Sequence, residues 1–355
     1  MRVLFINVFY FLTLMNKNII LTGGCGFIAK NLIIELLKKN HKKINKIICI
    51  DNFISSLESE FTKFVSLIQK KYDDKIILYK KDITKYNDFQ LIMNDLIIKH
   101  DIYKVDEMYH LASIASPVLY KQYPLETLDC GYIGTKNVLD CAKFYDSKVL
   151  FCSTSEVYGD AKITPQPEYY YGNVNSFGAR SCYDESKRVA EALCYSYIQI
   201  YKMDIKIARI FNTYGPHMML EDGRIITECI KHLMNNTPLT VFGDGTQTRS
   251  ICMVDDTVQM MIGLMASSCN DPVNIGNNEE LTVNEIVKII ENQYKNITNK
   301  NVDLKIQYLP LTQNDPLQRC PDLTFNKEIL GNRNYTPMTE GLSKTIKYFI
   351  ENFSV

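Results

Sequence analysis

The sequence has no tryptophan, only five histidines, no Cys-x-x-Cys pair and no formal net charge. The histidines, at positions 41, 100, 110, 217 and 232, show none of the spacings expected of metal ligands, so we expect no metal site. A neutral chain lacks the basic excess typical of nucleic-acid-binding proteins, and we expect no nucleic-acid partner. Any positive patch for an anionic ligand must therefore be local.

Apolar stretches long enough for a membrane span are also missing. A thirteen-residue, mostly apolar stretch from Val3 to Met15 is too short to cross a bilayer. No small-x-small cleavage site follows it, and a run typical of a core strand begins at Asn18. We expect an N-terminal apolar extension over residues 1–16, and neither a membrane anchor nor a secretion signal. The eleven scattered cysteines are typical of reduced, buried thiols in a cytoplasmic protein.

What the 355 residues do contain is a series of short apolar runs that alternate with helical patterns. The alternation indicates an α/β protein with a Rossmann-type, doubly wound parallel sheet of six strands. The runs typical of strands occupy residues 18–22, 47–50, 76–79, 107–111, 148–152 and 205–210. The helical patterns between them occupy residues 27–37, 88–100, 132–145 and 182–201.

A glycine turn joins the first strand pattern to the first helical pattern. Gly23 permits a tight turn there, and Gly26 lets a pyrophosphate approach the backbone at the helix N-terminus. Asp51 ends the second strand pattern, where it can accept a hydrogen bond from an adenosine ribose hydroxyl and would repel a 2′-phosphate. Asp82, at the tip of the third strand pattern, lies where an adenine could dock. These features predict NAD, rather than NADP, as the cofactor.

The alternation ends after residue 215. A helical pattern at 225–233, a strand pattern at 239–242 and a tight turn at 243–245 follow it. We therefore expect an NAD-binding domain over residues 17–215 and a smaller C-terminal α/β substrate-binding lobe over residues 216–355. Within that lobe, residues 250–267 are expected to pack back on the first domain.

A hydroxyl-rich strand end, Ser153-Thr-Ser-Glu156, precedes Tyr183 and Lys187, which lie one helical turn apart. A lysine ammonium beside a phenol favours the phenolate. We therefore expect Lys187 to lower the pKa of Tyr183 from about 10 toward neutral, so that Tyr183 can take a proton from an alcohol. The same Tyr-x-x-x-Lys spacing starts at residues 132 and 158, but only Tyr183 follows such a strand end and begins a long helix. The alternative is an ordinary Tyr–Lys pair on a helix surface.

These features, in this order, resemble the extended short-chain dehydrogenase/reductase superfamily from residue 18 to the C-terminus. Within it, the chain is similar to the UDP-glucuronate decarboxylases, which form UDP-xylose. The resemblance is carried by His110-Leu-Ala-Ser-Ile-Ala-Ser-Pro117, Ser153-Thr-Ser-Glu-Val-Tyr-Gly-Asp160, Arg180-Ser-Cys-Tyr-Asp-Glu-Ser-Lys-Arg188, Ala208-Arg-Ile-Phe-Asn-Thr-Tyr-Gly-Pro216 and Gly243-Asp-Gly-Thr-Gln-Thr-Arg-Ser250, together with residues 172–175 and 222–224.

The resemblance implies oxidation of the sugar at C4, loss of CO₂ from the resulting β-keto acid, and reduction by the same NAD. Tyr183, assisted by Lys187 and Thr154, would take the C4 hydroxyl proton. Tyr183 and Ser153 or Thr154 would stabilise the enolate formed when CO₂ leaves. The superfamily's dimer bundle is similar to the helical patterns at 132–145 and 182–201, so we expect a homodimer.

Ser155 and Glu156 separate the related activities. A nucleotide-sugar 4,6-dehydratase carries Asp-Glu there, and the Asp protonates the departing hydroxyl. Ser155 has no acidic proton to give to a departing hydroxyl. Ser155 and Glu156 together could instead position the group that protonates C5. An NAD-dependent dehydratase or epimerase remains the alternative enzyme, and a non-catalytic NAD-binding sensor or scaffold remains a further one.

The resemblance also implies which residues bind the ligands. Arg319 would face the sugar carboxylate with two parallel hydrogen bonds. Asn212, Arg224 and Arg249 would bind the UDP-sugar, chiefly at its diphosphate. The expected NAD-binding residues are Gly23, Gly26, Phe27, Ile28, Asp51, Asn52, Asp82, Ile83, Leu111, Ser113, Tyr183 and Lys187.

The chain departs from the decarboxylase pattern in several places. Asp129-Cys-Gly131 stands where the family usually has Lys-Thr-Asn, so a cation and an amide are replaced and a carboxylate is added near the expected site. Ile114 stands where proline is usual. The segment between Asp82 and His110 is longer than usual. These changes raise the possibility of weaker binding or an altered substrate.

Overall fold

The computed structural model describes residues 16–310 and 318–353. Most of the predicted N-terminal extension lies outside the described residues, as do residues 311–317 of the loop before Arg319. The strands are β1 Lys17–Thr22, β2 Ile44–Asp51, β3 Ile76–Lys80, β4 Glu107–His110, β5 Lys148–Thr154, β6 Ile205–Ile210, β7 Thr213–Tyr214, β8 Leu239–Phe242, β9 Thr248–Ser250, β10 Cys252–Met253, β11 Pro272–Ile275, β12 Glu280–Thr282 and β13 Ile306–Leu309.

Twelve α-helices connect these strands in the described residues. They are α1 Phe27–Asn40, α2 Glu58–Tyr72, α3 Tyr86–His100, α4 Pro117–Gln122, α5 Pro124–Asp129, α6 Thr135–Tyr145, α7 Ser181–Tyr201, α8 Ile225–Asn235, α9 Val254–Ala266, α10 Val283–Thr298, α11 Thr324–Leu330 and α12 Met338–Phe353. A π-helical segment, Cys130–Gly134, links α5 to α6, and 3₁₀ turns occupy His41–Lys43 and Ser155–Tyr158. None of the described helices combines the length and apolar character needed to cross a membrane.

Seven strands form one parallel sheet in the order β3-β2-β1-β4-β5-β6-β11. The strand order reverses beside β1, and a crevice opens at the carboxyl ends of the strands at such a point. The doubly wound parallel sheet predicted from the sequence is confirmed. The predicted number of six strands is wrong, because β11 adds a seventh strand beside β6.

Both faces of the sheet are covered by helices, which explains the uninterrupted apolar strand patterns. Ile47 and Cys49 of β2 belong to the core on one face, and Ile48 and Ile50 belong to the core on the other. All four are fully buried. A strand buried on both faces gains packing from every side chain, so it needs no polar alternation.

The C-terminal part of the chain forms separate short strand pairs and also contributes elements to the main sheet and its covering helices. Short strand pairs, β8 with β13 and β9 with β12, lie outside the main sheet. Helix α9 instead packs against α1, β5 and β6. Strand β11 also returns to the main sheet. The division of the chain into two domains at residue 215 therefore stays a prediction.

Candidate active site

One cavity of about 960 Å³ lies at the carboxyl edge of the sheet and extends toward the C-terminal strand pairs. Every residue predicted from the sequence to bind cofactor or substrate, or to take part in catalysis, lines this cavity. They are Gly23, Gly26, Phe27, Ile28, Asp51, Asn52, Asp82, Ile83, Leu111, Ser113, Thr154, Ser155, Glu156, Tyr183, Lys187, Asn212, Arg224, Arg249 and Arg319.

The glycine turn forms one end of the cavity. Gly23 has a φ of +65°, and a Cβ there would come within 2.7 Å of the Ala112 backbone. The Gly26 amide donates to the Gly23 carbonyl at 3.1 Å, and Gly26 then precedes the first residue of α1. A side chain on Gly23 would collide with the backbone after β4, and a Cβ on Gly26 would lie 3.3 Å from the Gly23 carbonyl oxygen. The turn therefore fits the approach of a pyrophosphate to a helix N-terminus.

Asp51 holds this turn in place. One carboxylate oxygen accepts from the Cys25 amide at 3.0 Å, and the other accepts from the Phe53 amide at 2.9 Å and the Ser56 hydroxyl at 3.0 Å. A carboxylate has about four lone-pair sites, so one more hydrogen bond from a ribose remains feasible. Asp51 consequently has a structural role that its position in the sequence did not reveal.

Tyr183 and Lys187 lie on α7 beside the end of β5. Burial raises the pKa of Tyr183 to about 12, although hydrogen bonding by Thr154 acts in the opposite direction. The Lys187 ammonium donates to the Cys152 carbonyl at 2.7 Å, and burial lowers its pKa. The predicted lowering of the Tyr183 pKa is therefore wrong for this arrangement, because desolvation of the phenol dominates. Thr154 and Arg224 both act to lower the pKa of Tyr183, but their effect is smaller than that of burial.

Ser153 does not serve the cavity with its hydroxyl. The hydroxyl donates to Glu191 at 2.5 Å, and Glu191 also accepts two hydrogen bonds from Arg209, at 2.7 and 3.0 Å. Ser153 and Thr154 both line the cavity, but the Ser153 hydroxyl is bound to Glu191. Thr154 is the hydroxyl that contacts Tyr183, and the stabilisation of an enolate by Ser153 stays a prediction.

Glu156 lies between two arginines from distant parts of the chain. Arg319 contacts its two carboxylate oxygens at 2.5 and 2.7 Å, and Arg180 forms a further ion pair with it. Arg319 also donates to the Ser155 hydroxyl at 3.2 Å. Burial would raise the pKa of Glu156, but Arg319 and Arg180 bring it below its usual value. Glu156 is therefore ionised at neutral pH.

The position of Arg319 differs from the one predicted. Its two guanidinium nitrogens bind Glu156 of the protein, whereas the sequence predicted that they face a sugar carboxylate. Arg319 is only 6% exposed, so the guanidinium has little room to leave this partner. Glu156, Arg319 and Arg180 form one group with a net charge of plus one. The carboxylate of a substrate would interact with this whole group and not with Arg319 alone.

Two cavity residues were not predicted from the sequence. Arg180 lies three residues before Tyr183 within a motif that the resemblance had already singled out, and this was the available signal. Tyr120 of α4 stacks on Tyr183, with ring centroids 5.3 Å apart and an interplanar angle of 7°. The Tyr120 hydroxyl is buried and lacks a hydrogen-bond partner among the described residues. No local sequence pattern indicates Tyr120, because its stacking on Tyr183 depends on the packing of α4 against α7.

The far end of the cavity carries the predicted diphosphate residues. Arg224 pairs with Asp222 at 3.2 Å, and Arg249 donates to the Thr248 carbonyl at 2.9 Å. Asn212 fixes β10 through its carbonyl, which accepts from the Cys252 amide at 2.8 Å. Their roles in substrate binding stay predictions.

Three of the residues that depart from the decarboxylase pattern, Ile114, Asp129 and Cys130, line the cavity. Cys130 and Asp129 face it, and the Cys130 thiol donates to the Ala112 carbonyl at 3.4 Å. Burial raises the pKa of Cys130 to about 11, so this thiol is not ionised at neutral pH. A Cβ on Gly131 would lie 2.5 Å from the Ser186 Cβ, so the π-helical segment approaches α7 closely.

Within residues 16–310 and 318–353, no group of three or more His, Cys, Asp and Glu side chains is arranged to hold a metal ion. The titratable groups of the cavity are organised instead around the Tyr183 phenol and the Glu156 carboxylate.

The sequence is similar to that of known enzymes over most of its length. A model described as the NAD dependent epimerase/dehydratase family matches residues 19–276. UDP-glucuronic acid decarboxylase 1 from Danio rerio is 38% identical over 333 residues, which are 94% of this chain and 72% of that protein. UDP-glucuronic acid decarboxylase 5 from Arabidopsis thaliana is 40% identical over 327 residues, which are 92% of this chain and 87% of that protein.

Solved structures with the same fold are more distant in sequence. UDP-glucose 4-epimerase from Thermotoga maritima has a TM-score of 0.79 and 24% identity, covering 94% of this chain and 99% of its own. A dTDP-glucose 4,6-dehydratase from Streptomyces venezuelae has a TM-score of 0.80 and 22% identity, covering 95% and 98%. These two structures support the fold of this chain.

Proposed function

Because this chain belongs to the NAD dependent epimerase/dehydratase family, we propose that it is an NAD-dependent decarboxylase that converts UDP-glucuronate to UDP-xylose. Relatives that are 37–40% identical over more than nine-tenths of the chain carry the name UDP-glucuronic acid decarboxylase. The observation that carries the proposal is the position of Ser155, Glu156 and Arg319 beside Tyr183 in a single cavity.

The residues of the cavity fit NAD. The turn at Gly23 and Gly26 leaves room for a pyrophosphate, and Asp51 at the end of β2 accounts for the choice of NAD over NADP. When bound, NAD⁺ supplies an acceptor for the hydride at C4 of the sugar and later returns that hydride. The protein residues then have to bind the sugar, move protons and stabilise the charge that develops.

Tyr183 is the proton acceptor for the C4 hydroxyl. Thr154 hydrogen-bonds the phenol, and Lys187 places a positive charge on the same side of α7. Oxidation at C4 places a ketone β to the C6 carboxylate. The C5–C6 bond can then break, because its electron pair moves toward the C4 carbonyl as CO₂ departs. Hydrogen bonds from Tyr183 and Thr154 would stabilise the resulting enolate oxygen.

The enolate requires a proton at C5 before the C4 ketone is reduced. Glu156 is the carboxylate that faces the cavity at this side, and the two arginines hold it in one orientation. Ser155, whose hydroxyl accepts from Arg319, replaces the acid that a 4,6-dehydratase uses to protonate a departing hydroxyl. Loss of CO₂ is therefore favoured over loss of water.

The decisive experiment supplies the purified protein with UDP-glucuronate and NAD and measures the released CO₂ and the sugar product by NMR. We expect stoichiometric CO₂ and UDP-xylose. Conversion of UDP-glucose to a 4-keto-6-deoxy sugar would instead identify a dehydratase. Tight NAD binding without turnover of either sugar would identify a sensor and overturn the proposal.

We also propose that the enzyme is a homodimer through the faces of α5 to α7. Large apolar side chains on these elements are exposed, and they include Leu125, Tyr132, Phe144, Tyr195 and Ile200. Helices α5 and α6 both pack against α7, and exposed apolar side chains on neighbouring elements are typical of interaction surfaces. Light scattering should give twice the chain mass, and Ile200→Glu should give the monomer mass. Ile98→Glu on α3, where the side chain is 77% exposed, is the matched control and should leave the mass unchanged.

The cytoplasm is the proposed location of the enzyme. All eleven cysteines are free, and most of them are buried among apolar residues. Reduced thiols of this kind suit a reducing compartment. Cell fractionation tests this proposal, and recovery of the protein in a secreted or membrane fraction would contradict it.

A further inference from the structure

Asp184 directly follows the predicted catalytic tyrosine and has an unusual environment. The residue is 7% exposed, and its Oδ1 is buried without a hydrogen-bond partner among the described residues. Its other oxygen lies 4.0 Å from Nε of Arg180, beyond hydrogen-bond distance. A buried carboxylate without hydrogen bonds is costly, and such a group tends to bind a proton.

Charged groups from several elements face Asp184. Glu156 approaches from the 3₁₀ turn after β5, Arg180 from the start of α7, and Arg319 from the loop before α11. Glu185 is its neighbour on α7. The phenols of Tyr120 and Tyr183 are also close enough to interact with it. Asp184 therefore belongs to the Glu156–Arg180–Arg319 group, but it does not line the cavity itself.

Two opposing effects set the protonation of Asp184. Burial and the neighbouring Glu156 carboxylate raise its pKa to about 7, against the attraction of Arg180 and Arg319. The carboxyl is thus close to half-protonated at neutral pH. A second anion placed near the same arginines would raise the proton affinity of Asp184 further, since like charges disfavour ionisation.

The proposed reaction consumes one proton. UDP-glucuronate enters with an ionised carboxylate, and CO₂ leaves with no charge. The electron pair of the broken C5–C6 bond remains on the sugar and has to be matched by one proton at C5. The hydride and the hydroxyl proton removed from C4 are both returned, so this additional proton has to come from the solvent by way of the protein.

We infer that Asp184 takes up this proton when the carboxylate of the substrate binds, and that it acts through Glu156 and Arg180 rather than by touching the sugar. The inference rests on the proposed decarboxylase function. Glu156, Arg180, Arg319 and an ionised Asp184 together carry no net charge. Protonation of Asp184 offsets the charge of the substrate carboxylate, so the total stays near zero when the substrate binds. Uptake at Asp184 also places a proton beside Arg180, which pairs with Glu156, before CO₂ leaves.

Proton uptake can be measured by titration calorimetry in buffers with different ionisation enthalpies. The protein is the NAD-loaded Tyr183→Phe variant, in which turnover is blocked. At pH 8, UDP-glucuronate binding should take up about half a proton or more, because most Asp184 is ionised before binding. UDP-xylose shares the uridine and diphosphate but lacks the carboxylate, and its binding should take up none.

Variants then identify the group that binds the proton. Adding Asp184→Asn should abolish the uptake, and Glu185→Gln on the adjacent, more exposed residue should leave it unchanged. Uptake that persists in Asp184→Asn would overturn the inference. Absence of uptake in the parent protein would also overturn it. Failure of the unmodified enzyme to release CO₂ would instead overturn the proposed function, so the two failures are distinguishable.

A measurement on the unmodified enzyme covers the case in which Asp184→Asn does not fold. Between pH 7 and 8.5 the KM for UDP-glucuronate should rise, by about threefold or more per pH unit near pH 8, because binding is linked to uptake of about half a proton or more. The inhibition constant of UDP-xylose should stay constant over the same range. Parallel changes of the two constants would contradict a role for Asp184.

Discussion

Arg319 binds both carboxylate oxygens of Glu156, although the two residues are 163 positions apart in the chain. The pair joins the loop before α11 to the end of β5, and it closes the cavity beside Tyr183. Replacement of Arg319 therefore alters the charge and the orientation of Glu156 as well as the reception of substrate.

Arg319→Ala should reduce kcat/KM for UDP-glucuronate by about 100-fold or more, because it removes a charge-assisted, two-bond contact from a buried site. Arg319→Lys should recover little, since an ammonium cannot make the two parallel bonds. Steady-state kinetics and NAD titration check this result. The NAD affinity should change less than about twofold, since the Arg319 side chain contacts Ser155 and Glu156. Equal losses of activity and NAD binding would contradict the proposed role.

Tyr183→Phe should lower CO₂ release by about 100-fold to 10,000-fold, the range typical of loss of a general acid or base. The ring can still stack on Tyr120, so the fold should be retained. Tyr132→Phe is the matched control, because Tyr132 and Lys136 have the same spacing but lie on the surface, where Lys136 pairs with Asp140 at 2.9 Å. An unchanged rate in Tyr183→Phe would end the proposed mechanism.

Asp51→Ala should weaken NAD binding and lower the melting temperature together. The Cys25 amide, the Phe53 amide and the Ser56 hydroxyl would lose their common acceptor, at a cost of about 1–3 kcal/mol for each buried group left unpaired. The preference for NAD over NADP should also fall, because the negative charge is removed. Dissociation constants for both cofactors and thermal unfolding test these effects. A variant that keeps its cofactor preference would exclude Asp51 as the selective residue.

Gly131→Ala should destabilise the protein by about 1–3 kcal/mol, because its Cβ would lie 2.5 Å from the Ser186 Cβ. The carbonyl oxygen and the Cα of Ser186 would also lie 2.6 and 2.8 Å from this Cβ, so Ser186→Gly should recover only a small part of the loss, which denaturant unfolding can measure. Gly263→Ala on α9 is the control, since its Cβ would find ordinary contact at 3.4 Å from Leu330. A loss in Gly131→Ala no greater than the loss in Gly263→Ala would show that the close approach of the two segments is not what requires Gly131.

Asp184→Asn should make the folded protein more stable at pH 8 and leave stability unchanged near pH 4. The folded-state pKa of Asp184 is raised to about 7 from its ordinary value of 3.8. The unfolded chain therefore binds fewer protons between these values, and the stability of the wild-type protein falls as the pH rises through this window. Each pKa unit corresponds to about 1.4 kcal/mol. Urea unfolding at several pH values tests this, and an equal stability difference at pH 4 and pH 8 would refute it.

Local sequence patterns were sufficient to predict much of the fold and many of the residues that line the site. The run at 47–50 predicts a buried parallel strand because both of its faces are apolar. The glycine turn is recognisable because a left-handed φ at residue 23 and close backbone packing both require glycine. Helix α2 was not predicted, and β11 is too short to be distinguished from a loop without the partner strand β6.

The charges and contacts inside the site required the folded chain. Sequence spacing placed Lys187 one turn from Tyr183, but burial decides the pKa of Tyr183, and burial depends on the surrounding elements. The pattern at the end of β5 suggested two hydroxyls for one site, but the Ser153 hydroxyl donates to Glu191. Amino-acid order thus specified strands, turns and the residue types that meet at the sheet edge, since these depend on near neighbours. Long-range packing set the Arg319–Glu156 pair and the unpaired oxygen of Asp184, since solvent exclusion and ion pairing depend on groups distant along the chain.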